Sequence, residues 1–230
     1  MKRSAPKHVA LIPDGNRRWA RKYRKPLIEG HAKGIDNLWK LMEWCREANV
    51  RTLTGWGFSS DNFKRSASEV RALMELFERK LKEYEDREEV HKHKIRVQVR
   101  GNLDEFPRKL IKKIKELEER TEEYREYELN LLIGYGGRQE LVNAVNEILR
   151  SGVKHVDEKS FRKYLWSGAL SSDPDLVIRT SGEIRTSGFL PWQSAYSEYY
   201  FSKKLWPEFK KADFKRALRE YASRKRRFGK

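Results

Sequence analysis

Short, wholly apolar runs alternate along this chain with longer stretches whose apolar positions recur every three or four residues. His8 to Ile12 (HVALI) is such a run, ended by Pro13-Asp14-Gly15-Asn16, and reads as a buried strand meeting a turn. Arg17 to Tyr23 reads as helical. From His31, which opens the segment, to Asn49 the apolar residues Ile35, Leu38, Trp39, Met42 and Cys45 keep helical spacing. Thr52 to Phe58 (TLTGWGF) is a strand ending at Ser59-Ser60-Asp61-Asn62. Val70, Leu73, Met74, Phe77, Leu81 and Tyr84 then mark one face of a helix. Ile95 to Val99 alternates as a strand, and Leu110, Ile111, Ile114 and Leu117 mark a charged surface helix. Leu129 to Ile133 is an apolar strand closed by Gly134-Tyr135-Gly136-Gly137. Leu141, Val142, Val145 and Ile148 mark the next helix. Leu176 to Ile178 runs into Arg179-Thr180-Ser181-Gly182-Glu183, Tyr199 to Phe201 is a last short strand, and Phe214, Ala217, Leu218 and Tyr221 belong to a C-terminal helix.

Strands alternating with helices, several of them apolar throughout, predict an α/β fold: a central, mainly parallel β-sheet flanked by helices on both faces. No internal repeat or linker divides the chain, and Ser171 to Pro174 reads as a loop, so residues 1–230 are expected to form a single domain. In such sheets sites form outside the carboxyl ends of the strands. Asp14 to Asn16, Ser59 to Asn62, Gly134 to Arg138 and Arg179 to Glu183 occupy those ends and are expected to face one crevice.

Composition narrows the classes. Of 230 residues, 51 are Lys or Arg and 34 are Asp or Glu, a net charge of +17. Most of these charges read as solvated surface, dense enough to suit a heat-stable protein, and no nucleic-acid recognition motif stands out, so no nucleic-acid partner is expected. The longest uncharged stretch, Thr186 to Ser197, falls short of the ~20 apolar residues of a membrane span. Met1-Lys2-Arg3-Ser4 carries no signal-peptide pattern. A cytoplasmic protein is expected, its basic surface free to rest on anionic lipid. The one cysteine, Cys45, lies on a core-facing stripe and excludes a disulfide framework. His91 and His93 read as solvated. P-loop, zinc and dinucleotide motifs are absent.

Three segments carry candidate chemistry. In Asp14-Gly15-Asn16-Arg17-Arg18-Trp19, Gly15 admits close backbone approach, the following amides open a helix suited to an anion, and Arg17 and Arg18 add charged donors. Asp14 would repel that anion unless a cation lay between them, so a diphosphate bridged through Mg²⁺ is the economical chemistry. Taken alone, an ordinary turn is the commoner reading. Arg179 to Ser187 places two Arg and several hydroxyls at a strand end, which suits a second phosphate group. In Ser59-Ser60-Asp61-Asn62-Phe63 with Arg65, Asn62 can orient a reacting group and Ser59 can donate to an oxygen. Helix capping is the competing role, and Ser66 or Ser68 can also fill it. His31 is either a structural helix-opening residue or a phosphate contact or proton relay.

Taken together, His8-Val-Ala-Leu-Ile-Pro-Asp14-Gly-Asn-Arg-Arg-Trp19, Gly30-His31, Phe58-Ser-Ser-Asp-Asn62 with Arg65 and Glu69, Tyr135-Gly-Gly-Arg138, and Arg179-Thr-Ser-Gly-Glu-Ile-Arg185-Thr-Ser187 through Trp192-Gln193 to Glu198 closely resemble the cis-prenyltransferases. These are the undecaprenyl and dehydrodolichyl diphosphate synthases, and the likeness is nearest to archaeal-type members. The resemblance implies a Mg²⁺-dependent homodimer that condenses isopentenyl diphosphate repeatedly onto an allylic diphosphate, farnesyl or geranylgeranyl. The product is a long polyprenyl diphosphate, precursor of a glycosyl carrier lipid. Asp14 matches the metal-binding catalytic aspartate. Gly15, Asn16, Arg17, Arg18, Trp19 and His31 match the allylic diphosphate site. Ser59, Ser60, Asp61, Asn62, Phe63 and Arg65 match the segment implicated in isopentenyl positioning and proton removal, and Arg179, Arg185, Thr186 and Ser187 the isopentenyl diphosphate site. Glu198 matches a metal-associated carboxylate reaching across the dimer, and Arg227-Phe228-Gly229 the family's tail motif. The helices carrying Ile35 to Cys45 and Val70 to Tyr84 are implied to wall an apolar tunnel for the growing chain.

The chain also departs from the family pattern. Many bacterial members carry Gly at Arg17 and Trp at Phe63. Leu27 stands where a diphosphate-binding Arg is usual, leaving Arg24 or Lys25 as substitutes. The alternative reading, a non-catalytic regulatory subunit, is disfavoured by the presence of Asp14, Asn62, Arg179 and Arg185.

Overall fold

A computed structural model describes residues 5–224. The chain runs β1 (His8–Ile12), α1 (Asn16–Lys22), α2 (Leu27–Glu47), β2 (Thr52–Ser59), α3 (Ala67–Glu85), α4 (Glu88–Lys92), β3 (Ile95–Arg100), α5 (Arg108–Thr121), β4 (Tyr127–Tyr135), α6 (Gly137–Ser151), α7 (Glu158–Arg162), β5 (Leu176–Arg179), β6 (Glu198–Phe201) and α8 (Lys211–Ser223). The strands form one six-stranded sheet in the order β3-β4-β2-β1-β5-β6. Every pairing is parallel, so the expected mainly parallel sheet is wholly so.

Alternation along the strands splits the interior. Val9, Leu11, Leu53, Leu129 and Ile178 enter the larger core with α2, α3, α5 and α8. Ala10, Ile12, Leu132 and Val177 enter a smaller one closed by Leu170, Phe189 and Leu190 from loops. From β1 the chain moves to β2 on one side and later returns to β5 on the other. The strand order therefore reverses between β1 and β5, and a crevice opens beyond their carboxyl ends.

The structure corrects two readings, the placement of His31 and the exposure of His91, and adds detail at α6 and between α2 and α3. Pro26 precedes Leu27, the first residue of α2, so His31 lies inside that helix rather than opening it. The apolar residues of α6 do not all turn inward: Val142, Val145 and Leu149 are 62%, 50% and 72% exposed. His91 is not solvated; its ring meets the Tyr124 hydroxyl at 2.9 Å and the Glu85 carbonyl at 2.8 Å. Between α2 and α3, where a tunnel is implied, Leu38, Met42, Leu73, Phe77 and Leu81 pack together. A cavity of about 40 Å³ remains there, lined by Ile35, Leu38, Phe77 and Trp206 among others.

Candidate active site

The turn after β1 is built by close packing. Gly15 takes φ +113°, and a Cβ there would lie 3.0 Å from the Leu205 Cα. Gly30 of α2 lets α1 press against it, since a Cβ would fall 2.3 Å from the Asn16 carbonyl oxygen. The Asp14 carbonyl accepts from the Thr180 hydroxyl at 2.7 Å and from the Trp206 amide at 3.0 Å. The Asp14 carboxylate is thereby held at the point where the strand order reverses.

Arg179, ending β5, donates to Asp14 Oδ2 at 3.0 Å. Its other amino group donates to the Arg185 carbonyl at 2.5 Å and the Ser187 hydroxyl at 2.8 Å. Arg18 approaches Asp14 Oδ1 at 3.4 Å and donates to the Ser181 carbonyl at 3.1 Å. Glu183 pairs with both Arg18 and Arg185. Burial raises the Asp14 pKa, but hydrogen bonds from Arg179 and Ser181 and the charges of Arg18 and Arg179 outweigh it. The carboxyl is held below its usual value and stays ionised.

A second group surrounds Glu69, which Arg65 meets at 3.0 Å and Arg17 at 3.6 Å. Arg65 also points an N–H at His31 Nε2, 3.5 Å away. Desolvation and then the Arg65 charge lower the His31 pKa to about 4. His31 is therefore neutral at pH 7, with Nε2 as an acceptor. Asp14, Arg17, Arg18, Arg65 and His31 line one cavity of about 330 Å³ with Gly15, Asn16 and Arg21. A second cavity of about 490 Å³ is lined by Ser60, Asp61, Gly136 to Gln139, Ser187 and Gly188. Around this crevice the buried guanidinium nitrogens Arg17 Nε and Arg179 Nε lack an acceptor.

The Ser59 segment takes its capping role. Ser59 Oγ accepts from the Asp61 amide and Asn62 Oδ1 from the Ser59 amide, each at 3.1 Å, while Ser66 caps α3. Asn62 thus has its acceptor engaged in the cap, and it lines neither cavity. Phe63 packs into an aromatic cluster with Phe58 and Phe106. Trp19 is buried against Tyr23 and beneath Lys33, outside the 330 Å³ cavity. Thr186 braces its loop through its carbonyl, which accepts from the Phe189 amide.

Glu198 is not brought to Asp14. It opens β6 level with Leu176, at the amino end of the sheet, and pairs with Arg224 at 2.6 Å. Among the described residues no three His, Cys, Asp or Glu side chains gather as a metal-binding group. Arg227-Phe228-Gly229 lies outside the described residues. Sequence reasoning missed Glu140, a fully buried carboxylate bound by the Tyr135 hydroxyl at 2.7 Å and by the Ser167 amide and hydroxyl. It anchors the first turn of α6 beneath the second cavity. An acid in a first helical turn looks like an ordinary N-terminal charge in sequence.

The family model for undecaprenyl diphosphate synthase, a prenyltransferase, matches residues 12–229. A tritrans,polycis-undecaprenyl-diphosphate synthase (geranylgeranyl-diphosphate specific) of Thermococcus kodakarensis is 50% identical over 230 residues, covering 97% of this chain and 87% of its own. An isoprenyl transferase of Thermus thermophilus is 45% identical over 234 residues, covering 97% and 89%. The crystal structure of lavandulyl diphosphate synthase from Lavandula x intermedia with dimethylallyl diphosphate superposes with a TM-score of 0.91. It is 34% identical, over 98% of this chain and 99% of that one. Fold, crevice and sequence agree, and the chain belongs to the undecaprenyl diphosphate synthase family of prenyltransferases.

Proposed function

We propose that this protein elongates cis-polyprenyl diphosphates, adding isopentenyl diphosphate units to an allylic diphosphate primer. One observation carries the reading: Asp14, held between Arg179 and Arg18, lines a cavity walled by Arg17, Arg18, Arg21 and Arg65, and Arg179 also donates to Ser187, which lines a second cavity walled by Arg138. Two diphosphates need two cationic pockets, and their reacting carbons must come together between them. The Thermococcus relative's geranylgeranyl diphosphate specificity supports that primer here.

The half-buried, ionised Asp14 fits Mg²⁺, which is commonly held by one or two carboxylates plus substrate phosphates. Mg²⁺ there supplies charge neutralisation for the departing diphosphate. The protein's own groups do the rest. Arg17, Arg18 and the first amides of α1 receive negative charge as the allylic C–O bond breaks. Arg179, Arg185 and Ser187 hold isopentenyl diphosphate while its double bond forms the new C–C bond. A proton is then lost from that unit. Asn62 is a poor base and orients groups, and a diphosphate oxygen takes the proton. The tail grows between α2 and α3, which must part to admit it.

The exposed apolar residues of α6, Val142, Val145 and Leu149, support a homodimer through that face. Only across two chains can Glu198 approach a metal on Asp14. Leu149→Asp should therefore give monomers by sedimentation.

The deciding experiment incubates the protein with labelled isopentenyl diphosphate, Mg²⁺ and dimethylallyl, farnesyl or geranylgeranyl diphosphate, then sizes the prenols. Mg²⁺-dependent long prenols establish the activity. A folded dimer yielding none with any primer points to the regulatory subunit.

A further inference from the structure

We infer that Arg21 is the guanidinium that receives the allylic diphosphate in place of the arginine missing at Leu27. The inference rests on the reading of the 330 Å³ cavity as the allylic site.

Arg21 lines that cavity from the last turn of α1, one helical turn beyond Arg17 and Arg18, so all three share a face of the helix. The other cations there each face a carboxylate, although Arg17 reaches its own only as a 3.6 Å ion pair and its buried Nε lacks an acceptor. Arg17 and Arg65 share Glu69, and Arg18 meets Asp14, Ser181 and Glu183. A phosphate reaching those groups competes with a carboxylate for each. Among the described residues Arg21 has no such partner, so its full fork of donors is free for phosphate oxygens.

The two substitutes open in the sequence are placed elsewhere. Arg24 lies beyond the C-cap of α1 at φ +52° and does not line the cavity. Lys25 faces Glu29 at 3.7 Å. Leu27 begins α2 and is absent from the cavity wall.

The test titrates geranylgeranyl diphosphate calorimetrically into the full chain and its R21Q, R21K, R24Q and K25Q variants. The KM for isopentenyl diphosphate and the melting temperature are measured alongside. R21Q should weaken the allylic diphosphate by about tenfold or more, the scale of one charge-assisted hydrogen bond. R21K should recover part of the loss. R24Q and K25Q should bind as the starting protein does. The isopentenyl KM and the melting temperature of R21Q should be unchanged. Unaltered binding by R21Q overturns the assignment, as does loss in R24Q or K25Q instead, or equal weakening of both substrates. A starting protein that binds no allylic diphosphate overturns the reading of the cavity itself.

Discussion

His8 and Asp14 bracket the same central strand, yet their surroundings are opposite. His8 is fully buried and every polar atom of its ring is used. Nδ1 meets the Ser172 carbonyl at 2.9 Å, so it carries the proton, and burial keeps the ring neutral. Nε2 then accepts from the Thr54 hydroxyl at 2.8 Å, and Thr54 accepts in turn from Asn130 at 3.3 Å. This chain of contacts ties β1 to β2 and β4 and leaves nothing for a ligand. At the other end Asp14 is half-buried, shared between two arginines and open to a cavity. A closed polar network specifies the sheet. An open one keeps charge in readiness for a substrate.

The contrast is broken most severely by Asp14→Ala. Turnover should fall on the order of 10³-fold, the scale of a lost charge-stabilising group, while the circular dichroism spectrum persists. Retained activity would make Asp14 a turn residue only. Arg179→Ala should weaken isopentenyl diphosphate by roughly 1.5–3 kcal/mol, read as a raised KM. Arg185→Ala should do less, because that side chain is 59% exposed. An unchanged KM in both would remove them from that site.

A pH series sharpens the comparison on the side of the cavity. His31 binds its proton less readily folded than unfolded, about 4 against 6.5. Its contribution to stability is complete above about pH 6.5 and is lost as pH falls toward 4, reaching roughly 2 kcal/mol by pH 5. Denaturant titrations should show this slope, and His31→Gln should flatten it. Thr54→Val is the mildest change. It strips His8 of its donor and should lower stability by about 1 kcal/mol, with both substrate constants intact. A kinetic effect larger than the stability effect would join the two ends of β1 functionally.

Much of this was legible from residue order. Apolar runs such as Leu129 to Ile133 located strands because burial on both faces leaves no room for polar alternation. The small and charged residues at strand ends foretold the crevice. What stayed hidden depends on three-dimensional partners. The Ser59–Asn62 reciprocal cap and a catalytic Asn look identical in sequence. The exposed stripe of α6 has the spacing of a core face, because periodicity marks an apolar face and does not say what covers it. Glu198 and Asp14 share a motif set yet lie at opposite ends of the sheet. Trp19 sits within the motif but turns inward, as aromatic residues beside a binding turn often brace it rather than line it.

The pairing of β1 with β5 also bears on biosynthesis. Asp14 and Arg179 are 165 positions apart in sequence. A chain still emerging from the ribosome cannot assemble the crevice until β5 has been made and has docked beside β1. Contacts of such separation form late and slowly. A chain that lacks its last third therefore keeps Asp14 but lacks the Arg179 that pairs with it, so the crevice as described needs the late-made strand.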